Sequence, residues 1–161
     1  MTDLNLEPTC FLNVDLDIWS RTDLAPLVAA FGERVFVLYV GPEGRRHGAH
    51  LELAGSGIRG SADSLIQAFV ALIRALPRSA RLHWRTASLR SFNVGIQAST
   101  QPYSYELQLQ PETLRAVAHI GAAVTFTVYA APVPASTPVD CPPSRKRRPN
   151  PGVQRTRFAR R

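Results

Sequence analysis

Asp15 and Asp17 stand two residues apart, and so do His50 and Glu52. Three carboxylates and an imidazole are the side-chain types that carry acid/base chemistry. They do so when burial or a like-charged neighbour raises one carboxyl pKa. A spacing of two sets both members of each pair on one face of a strand. Nothing in the neighbouring sequence supplies desolvation, and carboxylates on a wet strand face are also ordinary solvated surface. His47, His50 and Glu52 further spell an H-x-x-H followed by an acid. A metal ion needs three or four converging donors. On a strand His47 is out of phase with His50 and Glu52, and no other His or Cys cluster lies near, so neither a metal nor a cofactor is expected.

Other motifs are weaker. Gly55-Ser56-Gly57-Ile58-Arg59-Gly60 imitates part of a phosphate loop but has no Lys-Ser/Thr at the required position. G-x-S-x-G and H-E-x-x-H do not occur. Cys10 and Cys141 are far apart and read as reduced, unrelated thiols. The two tryptophans, Trp19 and Trp84, can seal a core edge or act as exposed anchors for a partner.

The elements that hold these residues follow from periodicity. Residues 11–19 alternate: Leu12, Val14, Leu16 and Ile18 face one way, Asn13, Asp15 and Asp17 the other. Leu24, Leu27, Val28 and Phe31 form a helical stripe, capped by Ser20 or Thr22 and ended by Gly32. The run 35–40 (VFVLYV) is continuously apolar and reads as a central strand covered on both faces. Residues 49–53 alternate again, with His50 and Glu52 outward. Ser61 caps a helix whose broad apolar face runs from Leu65 to Leu76, and Pro77 stops it. A shorter helix is expected over 79–89, with Ala80, Trp84 and Ala87 on one side. Strands follow at 92–97, with Asn93 and Gln97 outward, and at 103–109. Pro111 opens a helix with Leu114, Val117 and Ala118 inward, and a last strand buries Val124, Phe126 and Val128.

These elements predict an α+β fold: a two-layer sandwich with a mostly antiparallel sheet of about six strands and helices packed on one face. Residues 1–132 form one globular domain, and 133–161 a disordered basic tail rich in Pro and Arg. The charge divides at the same boundary. Residues 1–132 hold 11 Arg and 11 acidic side chains, whereas 133–161 hold seven Arg and one Lys against Asp140, which accounts for the net charge of +7. The high pI therefore belongs to the tail. Its cluster Arg145, Lys146, Arg147 and Arg148 suits weak, sequence-independent contact with nucleic acid through phosphate neutralisation. No stretch is long and apolar enough for a bilayer, and the first residues do not form a secretory signal, so a cytoplasmic protein without a membrane contact is expected.

Residues 11–17 (FLNVDLD), 90–97 (RSFNVGIQ) and 111–121 (PETLRAVAHIG) resemble those of small bacterial α+β proteins of the domain-of-unknown-function kind. That resemblance implies the fold and no catalytic residue. The end of the chain, 149–161 (PNPGVQRTRFARR), looks like the C-termini of proteins encoded on mobile integron gene cassettes, which implies a translated recombination site.

The expected function is a non-enzymatic binding or protein-interaction module of the accessory or immunity type. Its working surface is the outer face bearing Asp15, Asp17, His50, Glu52, Asn93 and Gln97. Two other functions stay open: a small enzyme with an acid/base site on that same face, and nucleic-acid binding through the tail. A concave site that holds at least two of the acid/base groups favours the enzyme, and a flat face the module.

Overall fold

A computed structural model describes residues 8–55, 60–100 and 102–131 of the chain. Their order is β1 (Cys10–Ser20), α1 (Ala25–Phe31), a 3-10 turn (Gly32–Arg34), β2 (Val35–Glu43), β3 (Arg46–Leu53), α2 (Ala62–Arg74), α3 (Arg78–Thr86), β4 (Leu89–Gln97), α4 (Pro111–His119) and β5 (Ala123–Tyr129). The fold is α+β, with a five-stranded sheet in the order β2-β3-β1-β4-β5. All pairings are antiparallel except β4 with β5, which run parallel through the crossover helix α4.

The alternation in β1 does what its spacing predicts. Val14, Leu16 and Ile18 are buried, and the residues between them are half-buried on the opposite face. Leu16 and Ile18 meet Ala49 and Leu51 of β3, and Phe92 and Val94 of β4, in one core with Ile66, Phe69, Val70 and Ile73 of α2. Phe69 and Phe92 pack ring on ring, 5.8 Å between centroids. Burial of side chains this size contributes roughly 1.5–3 kcal/mol each, and it ties the helix to the central strands. Ser61 caps α2 as expected: its Oγ accepts from the Ser64 amide at 3.2 Å. Pro77 separates α2 from α3.

Several expectations are corrected. The sheet has five strands and not six, because residues 103–109 form no strand. Leu107 and Leu109 pack on the core and Tyr103 is exposed, so the alternation there records an irregular segment lying on the core without a ladder partner. The apolar run 35–40 is an edge strand: Val35 is buried, but Phe36 is 58% and Leu38 54% exposed. On β5, Val124 is only partly buried, and Phe126 (52%) and Val128 (60%) are exposed. This second edge strand extends beyond the cover of the helices. Helix α1 begins after Leu24 without a side-chain cap; Ser20 and Thr22 bond to each other, and the Asp23 carboxylate accepts from the Ala25 amide. In α4, Thr113 and Val117 face inward, and Leu114 and Ala118 are exposed. Thr113 is satisfied there by the Gln67 amide at 2.7 Å.

No helix among the described residues is long and apolar enough to cross a membrane. The expected disorder of 133–161, the cluster Arg145, Lys146, Arg147 and Arg148, and residues 56–59 of the glycine-rich loop lie outside the described residues.

Candidate functional site

The antiparallel register of β1 and β3 aligns Leu16 with Leu51 and Asp17 with His50. That one alignment collects the outward residues of both strands into two adjoining groups. In the first, His50 Nδ1 lies 2.7 Å from Asp17 Oδ1 and His50 Nε2 lies 3.4 Å from Glu43 Oε1. The Trp19 ring meets the imidazole edge-on at 5.6 Å between centroids, and Tyr39 lies tilted at 6.0 Å. Burial lowers the His50 pKa, but the hydrogen bond and charge of Asp17, with a smaller contribution from Glu43, outweigh it, and the imidazole is held above its ordinary value.

In the second group two carboxyls share a site. Asn13 Nδ2 donates to Asp15 Oδ1 at 2.9 Å and to Glu52 Oε1 at 2.8 Å. Asp15 is raised to about 7, foremost by burial, then by the charge of Glu52, by its hydrogen bond with Glu52 and by the charge of Asp17; His50 offsets a part. Buried beside a second carboxyl, Asp15 keeps below about pH 7 a proton that it donates to Glu52. Gly95 of β4 makes room for this bridge. A Cβ there would stand 2.5 Å from Asn13 Oδ1, and Asn13 sits where β1 bulges against β4 between Phe11 and Val14.

The same bulge opens a cleft. The β1–β3 ladder ends at Leu16 and Leu51, so the first residues of β1 stay on β4 and part from β3. The cleft has a volume of about 620 Å³. Its apolar wall includes Leu12 of β1, Phe36 of β2, Leu53 of β3, Tyr129 of β5 and, from the helix layer, Leu65 of α2. Asn13 and Glu52 supply its polar side, and Cys10, a free thiol, also lines it.

The candidate residues are therefore only partly united. Asp15, Asp17, His50 and Glu52 come together. Asn93 and Gln97 share the face but stitch β5 to the sheet: Asn93 Oδ1 accepts from Thr127 at 2.7 Å, and Gln97 Nε2 donates to the carbonyls of Ala98 and Ala130. Trp19 flanks His50 on the outer face. Trp84 is 3% exposed and donates to the Ile120 carbonyl at 2.9 Å, which makes it core and corrects its reading as a partner anchor. His47 stays apart from His50, 4.0 Å from Asp23. Among the described residues no three of His, Cys, Asp and Glu are grouped so that they could hold a metal ion.

Sequence reasoning missed Asn13, Glu43, Phe36 and Gly95 as site residues. Asn13 was in phase with the aspartates and could have been included. Glu43 looked like a turn residue because Gly41-Pro42-Glu43-Gly44 carries a turn signal, yet β2 runs through it to a tight turn at Gly44, whose φ is +60°.

Comparison of the chain with protein families, with curated proteins and with solved structures gives no match.

Proposed function

We propose that the chain is a non-enzymatic binding module and that the outer sheet face takes a positively charged protein partner. One observation carries this reading. Asp15, Asp17, Glu43 and Glu52 converge on one face, and among the described residues His50 is the one cationic side chain in ion-pair contact with any of them. A face with that excess of negative charge is complementary to lysines and arginines, steers them in and rejects acidic surfaces. Trp19 and Tyr39 pack around His50, and the exposed Phe36 stands opposite Glu52 in the β2–β3 register; they offer rigid aromatic area for cation–π contact.

The test is a titration of the full chain with a lysine- and arginine-rich 15-residue peptide, and with its glutamate-rich counterpart, followed by Trp19 fluorescence. The basic peptide is expected to bind, with an affinity that falls as salt rises, and the acidic one not to bind. Loss of two charges in Asp17→Asn/Glu43→Gln should weaken binding about tenfold, as expected for about 1.4 kcal/mol of lost electrostatic contact. Equal binding of the two peptides, or a double variant that binds like the wild type, overturns the reading.

A second reading, acid/base catalysis, has its own observation in its favour: an Asp15 raised to about 7 beside Glu52, which lines a cleft. Paired carboxyls with separated pKa values are the arrangement by which one group gives a proton while the other receives one. Of the four acid/base candidates, however, only Glu52 lines the cleft. Substrate turnover that is lost in both Asp15→Asn and Glu52→Gln, with a pH optimum near 7, would favour this reading over the module.

A further inference from the structure

We propose that the cleft between the first residues of β1 and the end of β3 binds a small amphipathic amine, with its apolar body among Leu12, Phe36, Leu53 and Leu65 and its ammonium group on Glu52. This site goes beyond the charged face described above: it shares Glu52 and Phe36 with that face, but neither Asp17 nor Glu43 lines the cleft, so the two readings can fail separately.

Three observations lead to this class of ligand. The first is size: about 620 Å³ lies within the range of roughly 300–1,000 Å³ typical of small-molecule sites, and most of the wall is apolar. A ligand that fills it must bring an apolar body. The second is the polar side. Among the described residues that line it, Glu52 is the one carboxylate and none is Lys or Arg, so an anionic ligand would meet a like charge and a neutral one would leave Glu52 without a counter-ion. The third is preorganisation. Asn13 Nδ2 fixes Oε1 of Glu52 at 2.8 Å, and the absence of a side chain at Gly95 leaves Asn13 the room to do so. The carboxylate is thus held in place before a ligand arrives, which lowers the ordering cost of binding.

The neighbouring Asp15 gives the site a signature. Asp15 is raised foremost by burial and next by the charge of Glu52; a cation placed on Glu52 offsets the second of these, so amine uptake releases protons from Asp15. With Asp15 titrating at about 7, the release at pH 7 can reach about half a proton per ligand.

The probe is 2-phenylethylamine, cationic at neutral pH, compared with 2-phenylethanol and phenylacetate, by calorimetry on the full chain. The amine is expected to bind at least tenfold more tightly than the alcohol, and phenylacetate more weakly than either. Titrations in buffers of different ionisation heat should show proton release for the amine only. Glu52→Gln should remove the preference for the amine while 2-phenylethanol still binds, which also reports an intact cleft. Asp15→Asn should keep the preference and lose the proton release. Leu12→Trp, which fills the cleft, should abolish binding of both, with an unchanged circular dichroism spectrum as the check on folding. Asp17→Asn/Glu43→Gln should leave amine binding unchanged. Equal affinity for amine and alcohol in the wild type, a preference that survives Glu52→Gln, or no binding of the amine at millimolar concentration overturns the proposal, whether or not the charged face binds a basic peptide.

Discussion

Asp15 and Asp17 are the same residue, two positions apart on one face of one strand, and they end beside different partners. Asp17 faces His50 at 2.7 Å and raises the pKa of that imidazole above its ordinary value. Asp15 faces Glu52 and an amide, is itself pushed to about 7, and keeps its proton where most carboxyls have lost theirs. The difference comes from β3, which offers an imidazole at one register position and a carboxylate two residues on. Residue type supplies a titratable group, and burial together with the cross-strand neighbour decides what it meets and, at Asp15, how it is shifted.

The largest disturbance of this comparison comes from below it. Leu16 lies between the two aspartates on the opposite face and is fully buried. Leu16→Ala should cost about 3 kcal/mol, the middle of the range for core leucines, and should blur both carboxyl groups together. Chemical denaturation measures the loss. A cost under about 1 kcal/mol would mean that the sheet supports the outer face without this contact.

Asp17→Asn acts mainly on the histidine side, and also takes one of the smaller like charges away from Asp15. It removes the main partner of the His50 cation, and it should destabilise the fold by about 1.5 kcal/mol at pH 5.5, the low end for a hydrogen bond to a charged group that solvent partly screens. The sign follows from linkage. A histidine raised in the folded state contributes stability below its unfolded pKa, and that contribution disappears as pH rises through the folded value. The cost should therefore shrink at pH 8.5, and NMR titration should show the His50 pKa falling in the variant. A cost independent of pH would assign Asp17 a purely steric role.

Asp15→Asn tests the other side and should act with the opposite sign. A carboxyl raised in the folded state favours folding at low pH and opposes it increasingly as pH climbs from about 4 toward 7. The neutral amide removes that repulsion. Allowing for solvent screening, the variant should be about 1 kcal/mol more stable than wild type at pH 8, or about 3–5 °C in melting temperature, with the gain disappearing near pH 4. A loss of stability at pH 8 would show that the shared proton is not the dominant feature of this pair.

The smallest effect on stability is expected from Gly95→Ala. The atom it would strike is the end of the Asn13 side chain, which can turn away, so the change should stay within about 0.5 kcal/mol. The two carboxyls then lose their common donor, and the Asp15 titration followed by NMR should move higher. An unmoved titration would remove Asn13 from the account of the pair.

How far the sequence can be read depends on the range of the interaction. The outward phase of Asp15 and Asp17 and that of His50 and Glu52 were legible, because side-chain direction along a strand has a period of two and needs no partner. That His47 stands apart followed from the same rule. The convergence of the pairs was not legible, because it rests on the alignment of Leu16 with Leu51 across strands more than thirty residues apart in the chain. The cleft was not legible either, since it depends on a bulge in β1 and on the point at which β1 leaves β3.

By itself the sequence determined the elements: the alternating β1, the helix α2 with its Ser61 cap and apolar face, the break at Pro77, and a body of balanced charge ahead of a basic C-terminal segment. Each of these rests on local stereochemistry or on composition. Only the tertiary structure decided that VFVLYV lies at an edge, that Phe126 and Val128 stay exposed, and that 103–109 finds no strand partner. An apolar run states that a segment gains from burial, but strand order and the reach of the helix layer determine whether cover is there to be had. The same non-local alignment placed one aspartate beside a histidine and the other beside a glutamate, because pKa values answer to distances across the sheet and not to spacing along the chain.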